Sequence, residues 1–267
     1  MIKIIDTYSL ILKHFDNDFT LEKWKNYVDG FKPSLKQLCI DDIIDYDFDL
    51  DVLPVINNCL KNKNEMKICH DNFLEICSSL NDIDVDAEII LYLGLCNGAG
   101  WVTKVDGIDS VLIGIEKVLE LNWQDLLSTR GLLLHELGHL YHFQKRTNKS
   151  FEDDNQALWQ LYSEGMAMYF EQRYLNDENY YHQKYDDWLN YCQTNQSRLF
   201  KEFFNRIETN KSVQDFFGDW VSFEGFSDIG YYLGSILIKD LSKKSNNQQL
   251  LDLDLKQIYE ALKSYTL

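Results

Sequence analysis

Proline and long apolar runs are scarce in this chain. Its 267 residues contain two prolines, Pro33 and Pro54, and no Pro-rich or Gly/Ser-rich stretch that would read as an interdomain linker. No segment reaches the roughly 18 uninterrupted apolar residues of a membrane-spanning helix. The N-terminal stretch MIKIIDTYSLILKHF puts Lys3, Asp6 and Lys13 where a secretory leader needs a clean apolar run. Positive charge is also in short supply, because 26 Lys and Arg face 43 Asp and Glu, for a formal charge of -17. The acidic residues are spread along the chain, which disfavours binding to nucleic acid or anionic membrane. A cytoplasmic protein with neither partner is the expectation. The six cysteines, Cys39, Cys59, Cys69, Cys77, Cys96 and Cys192, form no CxxC pair, and a chain that is 45% apolar can bury a core without disulfides. Reduced, buried thiols follow.

What is present organises into two regions, an N-terminal helical region over 1–85 and a second region over 86–267, expected to make one compact unit. In the first, DFTLEKWKNYV, PSLKQLCIDDII and DNFLEICSSL carry apolar residues at helical spacing. His14 and His70 stand there without ligand partners nearby. At Ala87 the texture changes: EIILYLGLC reads as a strand, NGAG as a glycine turn, and WVTKVDGIDSVLIGIE as two strands joined at Asp106-Gly107. Gly94, Gly98, Gly100, Gly107, Gly114, Gly131 and Gly138 crowd this part of the chain, where backbones turn sharply or approach something closely. Their spacing fits neither GxGxxG nor a P-loop, which excludes a nucleotide site. Asn122 is the expected cap of a helix running to about Arg146, with a break at Gly131. A further helix is expected from about Asn155 to Tyr174, and another over GYYLGSILIKDL. The fold class is α+β, mainly helical, with a small sheet, expected to be built of hairpins, beside the helix that carries HELGH.

That helix holds the chemistry. His135 and His139 are four residues apart, one turn on the same face, which suits two imidazoles sharing one ion. Glu136, between them in HELGH, is the general base of an HExxH motif. His142 lies on nearly the same face, but residues 135 and 142 are separated by roughly 10 Å along the axis, whereas zinc–nitrogen bonds are about 2 Å. It is assigned to packing or support. The third ligand must come from elsewhere, and Glu152, Asp153, Asp154, Glu164, Glu171 and His182 are the candidates. Glu164 is preferred because it shares the apolar stripe Ala157, Leu161, Met168, where a carboxylate needs a compensating charge or metal. Gly165 beside it is expected to let this helix approach the HELGH helix. The expected centre is one Zn2+ on His135, His139 and Glu164.

HELGH followed by EGMA resembles the gluzincin zinc metallopeptidases, which use HExxH and a downstream glutamate often embedded in EGxA. Within that clan, LGLCNGAGW and YYLG look most similar to poorly characterised bacterial predicted zinc-dependent proteases. The resemblance covers residues 88 to about 240. It implies a zincin-like fold with a mixed sheet over the active helix, peptide hydrolysis by a metal-activated water, and substrate laid along the edge strand. It further implies a tyrosine as oxyanion donor: Tyr231 with Gly234 matches the YxxG spacing, and Tyr232 is its rival. Gly98, Ala99, Gly100 and Trp101 would form the substrate rim, the alternative being a tight hairpin with Trp101 in the core. Two departures stand out. Thermolysin-like members have an aspartate four residues after the ligand glutamate, where this chain has Met168; Glu171 is the possible substitute. Aminopeptidase-like members carry a glutamate in the edge strand, and NGAGW has none, which weakens an exopeptidase assignment. The reading is a zinc-dependent peptidase acting on a peptide or protein; the alternative is a non-catalytic, zinc-braced module that binds a protein partner.

Overall fold

A computed structural model describes the chain except for residues 17, 46–47, 149–155, 184–186, 219 and 267, and without the side chains of 42–49 and 81. The chain falls into two compact units, Met1–Leu140 and Tyr141–Leu267. The boundary lies inside one helix.

The first unit is built on a four-stranded sheet in the order β1-β2-β4-β3, formed by β1 (Ile2–Asp6), β2 (Ala87–Tyr92), β3 (Gly100–Val105) and β4 (Ile108–Gly114). β1 and β4 both run parallel to β2, with Ile4 opposite Ile89 and Ile90 opposite Leu112. Flanked on both sides, β2 is buried at every position, which suits its apolar run Ile89–Leu91, while the one charged side chain in it, Glu88, pairs with Lys3 and Lys32. β3 returns antiparallel on β4 and forms one edge of the sheet. Their turn is the expected Asp106-Gly107, at φ 51° and 81°, the paired left-handed backbone of a tight hairpin.

The sheet is thus mixed, as expected, but one of its strands was not. The N-terminal region was read as helical, whereas Ile2–Asp6 is a strand whose partner lies more than eighty residues further along the chain. Between β1 and β2 run α1 (Tyr8–His14), α2 (Leu21–Val28), α3 (Pro33–Asp45), α4 (Leu53–Lys61) and α5 (Lys63–Ser78). Thr20 caps α2 by accepting from Lys23 N at 3.2 Å, and Trp24, Tyr27, Ile56 and Phe73 supply fully buried side chains to the core.

After β4 come the short α6 (Ile115–Glu120) and the long α7 (Leu126–Lys145). The cap of α7 is Asp125, not Asn122: Asp125 accepts from Ser128 N at 3.0 Å and from Ser128 Oγ at 2.7 Å. Asn122 instead takes a left-handed φ of 56° just after α6, where asparagine is tolerated. α7 also passes through Gly131 without a break. Residues 131–140 are buried throughout, consistent with a helix that is apolar on nearly all sides.

The second unit is helical among its described residues: α8 (Gln156–Leu175), α9 (Trp188–Glu208), α10 (Ile229–Ser242), α11 (Asn247–Leu251) and α12 (Leu255–Ser264). Its core gathers Leu161, Tyr162, Trp188, Phe200, Phe203, Leu233 and Ile258. Gly165 does allow a close helix approach, but the partner is α10. A Cβ on Gly165 would lie 2.5 Å from Gly234 O, so the two backbones touch with no room for a side chain. The end of α7 is fastened within the same unit by Arg146, which donates to Leu251 O at 2.6 Å, Leu253 O at 3.0 Å and Tyr162 Oη at 3.1 Å.

No described helix is long and apolar enough to cross a membrane. All six cysteines are free, and all but Cys96 are buried. Burial raises the thiol pKa of Cys69, Cys77 and Cys192 to about 12, so they are poor nucleophiles.

Candidate metal centre

α7 presents His135 and His139 as two imidazoles with ring centroids 4.9 Å apart and planes at 83°. They are 6% and 8% exposed, and Glu136 is 6% exposed. Glu164 is half-buried in α8, with Leu161 and Met168 of the same apolar stripe fully buried. One possible ligand atom from each of His135, His139 and Glu164 lies within 4.8 Å of the other two. Two imidazole nitrogens and a carboxylate oxygen are the donor set zinc takes in three-ligand sites that keep a fourth position open. Among the described residues this is the one such grouping of His, Cys, Asp or Glu. The donors therefore fit the expected ion.

The rejected candidates have other environments. His142 is fully buried and packed among aromatics, 4.7 Å from the Tyr162 ring centroid and 5.6 Å from that of Trp159. The expected packing role is where the structure puts it. His182 lies with Nε2 2.9 Å from Glu171 Oε1, and Glu171 is fully buried. His70 makes a similar contact with Asp6 Oδ2 at 2.8 Å and stacks on Tyr8. Glu152, Asp153 and Asp154 lie outside the described residues.

β3 meets Glu136 at its first residue. A Cβ on Gly100 would lie 2.9 Å from Glu136 Cγ, 3.0 Å from Glu136 Oε1 and 2.8 Å from Leu132 Cδ1. Glycine is needed here because the edge strand rests directly on the face of α7 that carries Leu132 and Glu136. Gly98, Gly100 and Trp101 are half-buried and Ala99 is buried. Trp101 donates its indole N–H to Tyr92 Oη at 3.3 Å, so the ring is anchored at one end while part of it stays accessible.

The two tyrosines separate by environment. Tyr232 is 2% exposed and donates its hydroxyl to Gln196 Oε1 at 2.6 Å. Burial holds its pKa above the ordinary value. Tyr231 is half-buried in the first turn of α10, with its ring 5.8 Å from that of Phe217. Ahead of it, Asp228 sits at a left-handed φ of 61° and accepts from Gly218 N at 2.8 Å and Gln183 Nε2 at 2.7 Å. That fixes where α10 begins.

Sequence reasoning passed over two side chains that shape the glycine-rich stretch. Glu116, 1% exposed, accepts from Gly94 N at 2.9 Å and Cys96 N at 3.1 Å. Tyr27 accepts from Leu93 N at 3.0 Å through its hydroxyl, which is 2.7 Å from Thr7 Oγ1. A carboxylate within the apolar run VLIGIEKVL was the available signal for Glu116. Tyr27 carried none.

Fold and donor set together define an α+β protein with a two-histidine, one-glutamate cluster. Searches against protein-family models, curated proteins and solved structures find no match for the chain.

Proposed function

We propose that this protein is a zinc-dependent peptidase of the gluzincin type, hydrolysing peptide bonds with Glu136 as general base. The observation that carries the reading is the convergence of His135, His139 and Glu164 within 4.8 Å, with Glu136 next to His135 on the same helix. When bound, zinc would lower the pKa of a water towards about 7 and polarise the scissile carbonyl.

The remaining work falls to the chain's own residues. The Glu136 carboxylate accepts a proton from the attacking water and delivers it to the leaving amine, so that one water and one peptide bond become a carboxylate and an amine. The Tyr231 hydroxyl donates to the oxygen on which charge develops. Tyr232 is not available for this, since its hydroxyl is committed to Gln196. Substrate backbone adds along β3 and the turn that leads into it, where Gly98, Ala99 and Gly100 leave room for close approach and Trp101 floors a subsite.

The test is the Glu136→Gln variant, assayed for bound zinc and for cleavage of a mixed peptide library with product mapping. Zinc should be retained and cleavage lost, whereas His135→Ala should lose both. Full cleavage by Glu136→Gln would remove the general base from the scheme. A zinc-loaded wild type that leaves every peptide intact would return the protein to the non-catalytic, metal-braced reading.

A further inference from the structure

Glu116 is a buried carboxylate that the scheme above does not use. It stands in the first turn of α6, immediately after β4, and is 1% exposed. Its oxygens accept the Gly94 and Cys96 amides at 2.9 and 3.1 Å. Keeping a carboxylate out of water costs several kcal/mol unless hydrogen bonds compensate. Burial accordingly pushes its pKa above the ordinary 4.5, against the pull of those backbone donors.

The stretch between β2 and β3 is shaped around this side chain. A Cβ on Gly94 would lie 2.9 Å from Glu116 Oε1, and one on Gly114 would lie 3.2 Å from the same atom and 2.7 Å from Gly98 O. Cys96 turns through a left-handed φ of 66° to bring its amide round. Just upstream, the Leu93 amide is held by Tyr27 Oη. Just downstream, Ala99 O accepts from Gly114 N at 3.1 Å. The next residue is Gly100, whose backbone rests against Glu136. A continuous run of contacts therefore leads from the Glu116 carboxylate, through 94–99, to the point where the edge strand meets the base.

We propose that Glu116 is a positioning residue for substrate, setting the depth of the 94–99 loop and of the β3 edge against which peptide backbone is laid. The inference rests on the peptidase reading. Glutamine at 116 keeps the shape but turns one acceptor into a donor facing a backbone N–H, and one of the two bonds is lost. Glu116 touches neither the reacting atoms nor the ligands in this arrangement, so the loss falls on the seating of the peptide. In kinetic terms it removes binding common to ground and transition states, which raises KM and spares kcat.

The experiment uses the full-length, zinc-loaded protein with the best peptide from the library. Glu116→Gln should raise KM about tenfold, keep kcat within about twofold and keep the wild-type zinc content. Inhibition by acetohydroxamate, which reaches only the metal, should be unchanged, while a tripeptidyl hydroxamate should bind about tenfold more weakly. Gly94→Ala presses on the same carboxylate from the other side and should give the same KM effect; it carries the test if Glu116→Gln shows no cooperative unfolding. An unmoved KM in both variants, or a joint fall in kcat and zinc content, overturns the proposal. A wild type that cleaves nothing overturns the peptidase reading instead, so the two failures are distinct.

Discussion

At the scale of single residues the proposed mechanism divides the site into groups that would hold the ion, groups that would react and groups that would seat the substrate. His135, His139 and Glu164 are the proposed holders, and two of the three were legible from local spacing alone, because a four-residue interval on a helix is a statement about one face. Glu164 was reached differently, as a carboxylate on an otherwise apolar stripe. Glu116 answers to the same argument and was missed because VLIGIE read as strand throughout, whereas the structure ends β4 at Gly114 and begins α6. Tyr231→Phe should lower kcat by about 10 to 1,000-fold with little change in KM, measured on the library's best peptide. Tyr232→Phe, which strips a buried hydroxyl from Gln196, should instead cost about 1 kcal/mol of stability in a denaturant titration and leave kcat near wild type. If the two variants exchanged these effects, the oxyanion donor would have to be reassigned to Tyr232.

At the scale of elements, the decisive contacts are backbone ones. Gly165 and Gly234 let α8 and α10 meet with no side chain between them, so Gly165→Ala should destabilise the protein by about 1–3 kcal/mol, read from its unfolding midpoint in urea. The sequence announced a close approach through Gly165 but assigned it to the HELGH helix, whereas the backbone it meets is that of α10, since a small residue names no partner. β1 was illegible for a related reason: five residues, IKIID, carry too little periodicity to separate strand from helix, and the partner strand is far along the chain. The end of α7 offers a pH test. Burial pushes the Asp252 carboxyl up, but hydrogen bonds from Gln248 Nε2, from the amides of Asn148 and Thr147, and from Thr147 Oγ1 outweigh it and hold its pKa well below the usual 3.8. A carboxyl with a lowered folded-state pKa contributes stability above its unfolded value and loses it as pH falls through the folded one. Stability should therefore drop below about pH 3.8. Asp252→Asn should be less stable at neutral pH and show a shallower acid decline, checked by urea titrations across pH 2–7; an identical acid profile would remove Asp252 from the account.

At the scale of the whole molecule, the spacing of apolar residues foretold a mainly helical α+β chain with a small sheet, the resemblance implied that the sheet is mixed, and the structure has that class. It could not foretell that the compact units divide inside α7, because a boundary within a continuous apolar helix leaves no trace in composition. A ligand that binds only the folded state stabilises it by mass action, by about 2.7 kcal/mol at a hundredfold excess over Kd. The wild-type Tm should thus rise with added zinc and fall with a chelator, and the Tm of His135→Ala should respond to neither. The central claim is that His135, His139 and Glu164 hold one zinc ion, and a zinc titration of metal-free wild type and Glu164→Ala tests it most directly. The account predicts one ion per wild-type chain and an affinity weakened at least about tenfold in the variant. Absence of tight binding to the wild type, or equal affinity in both, would contradict it.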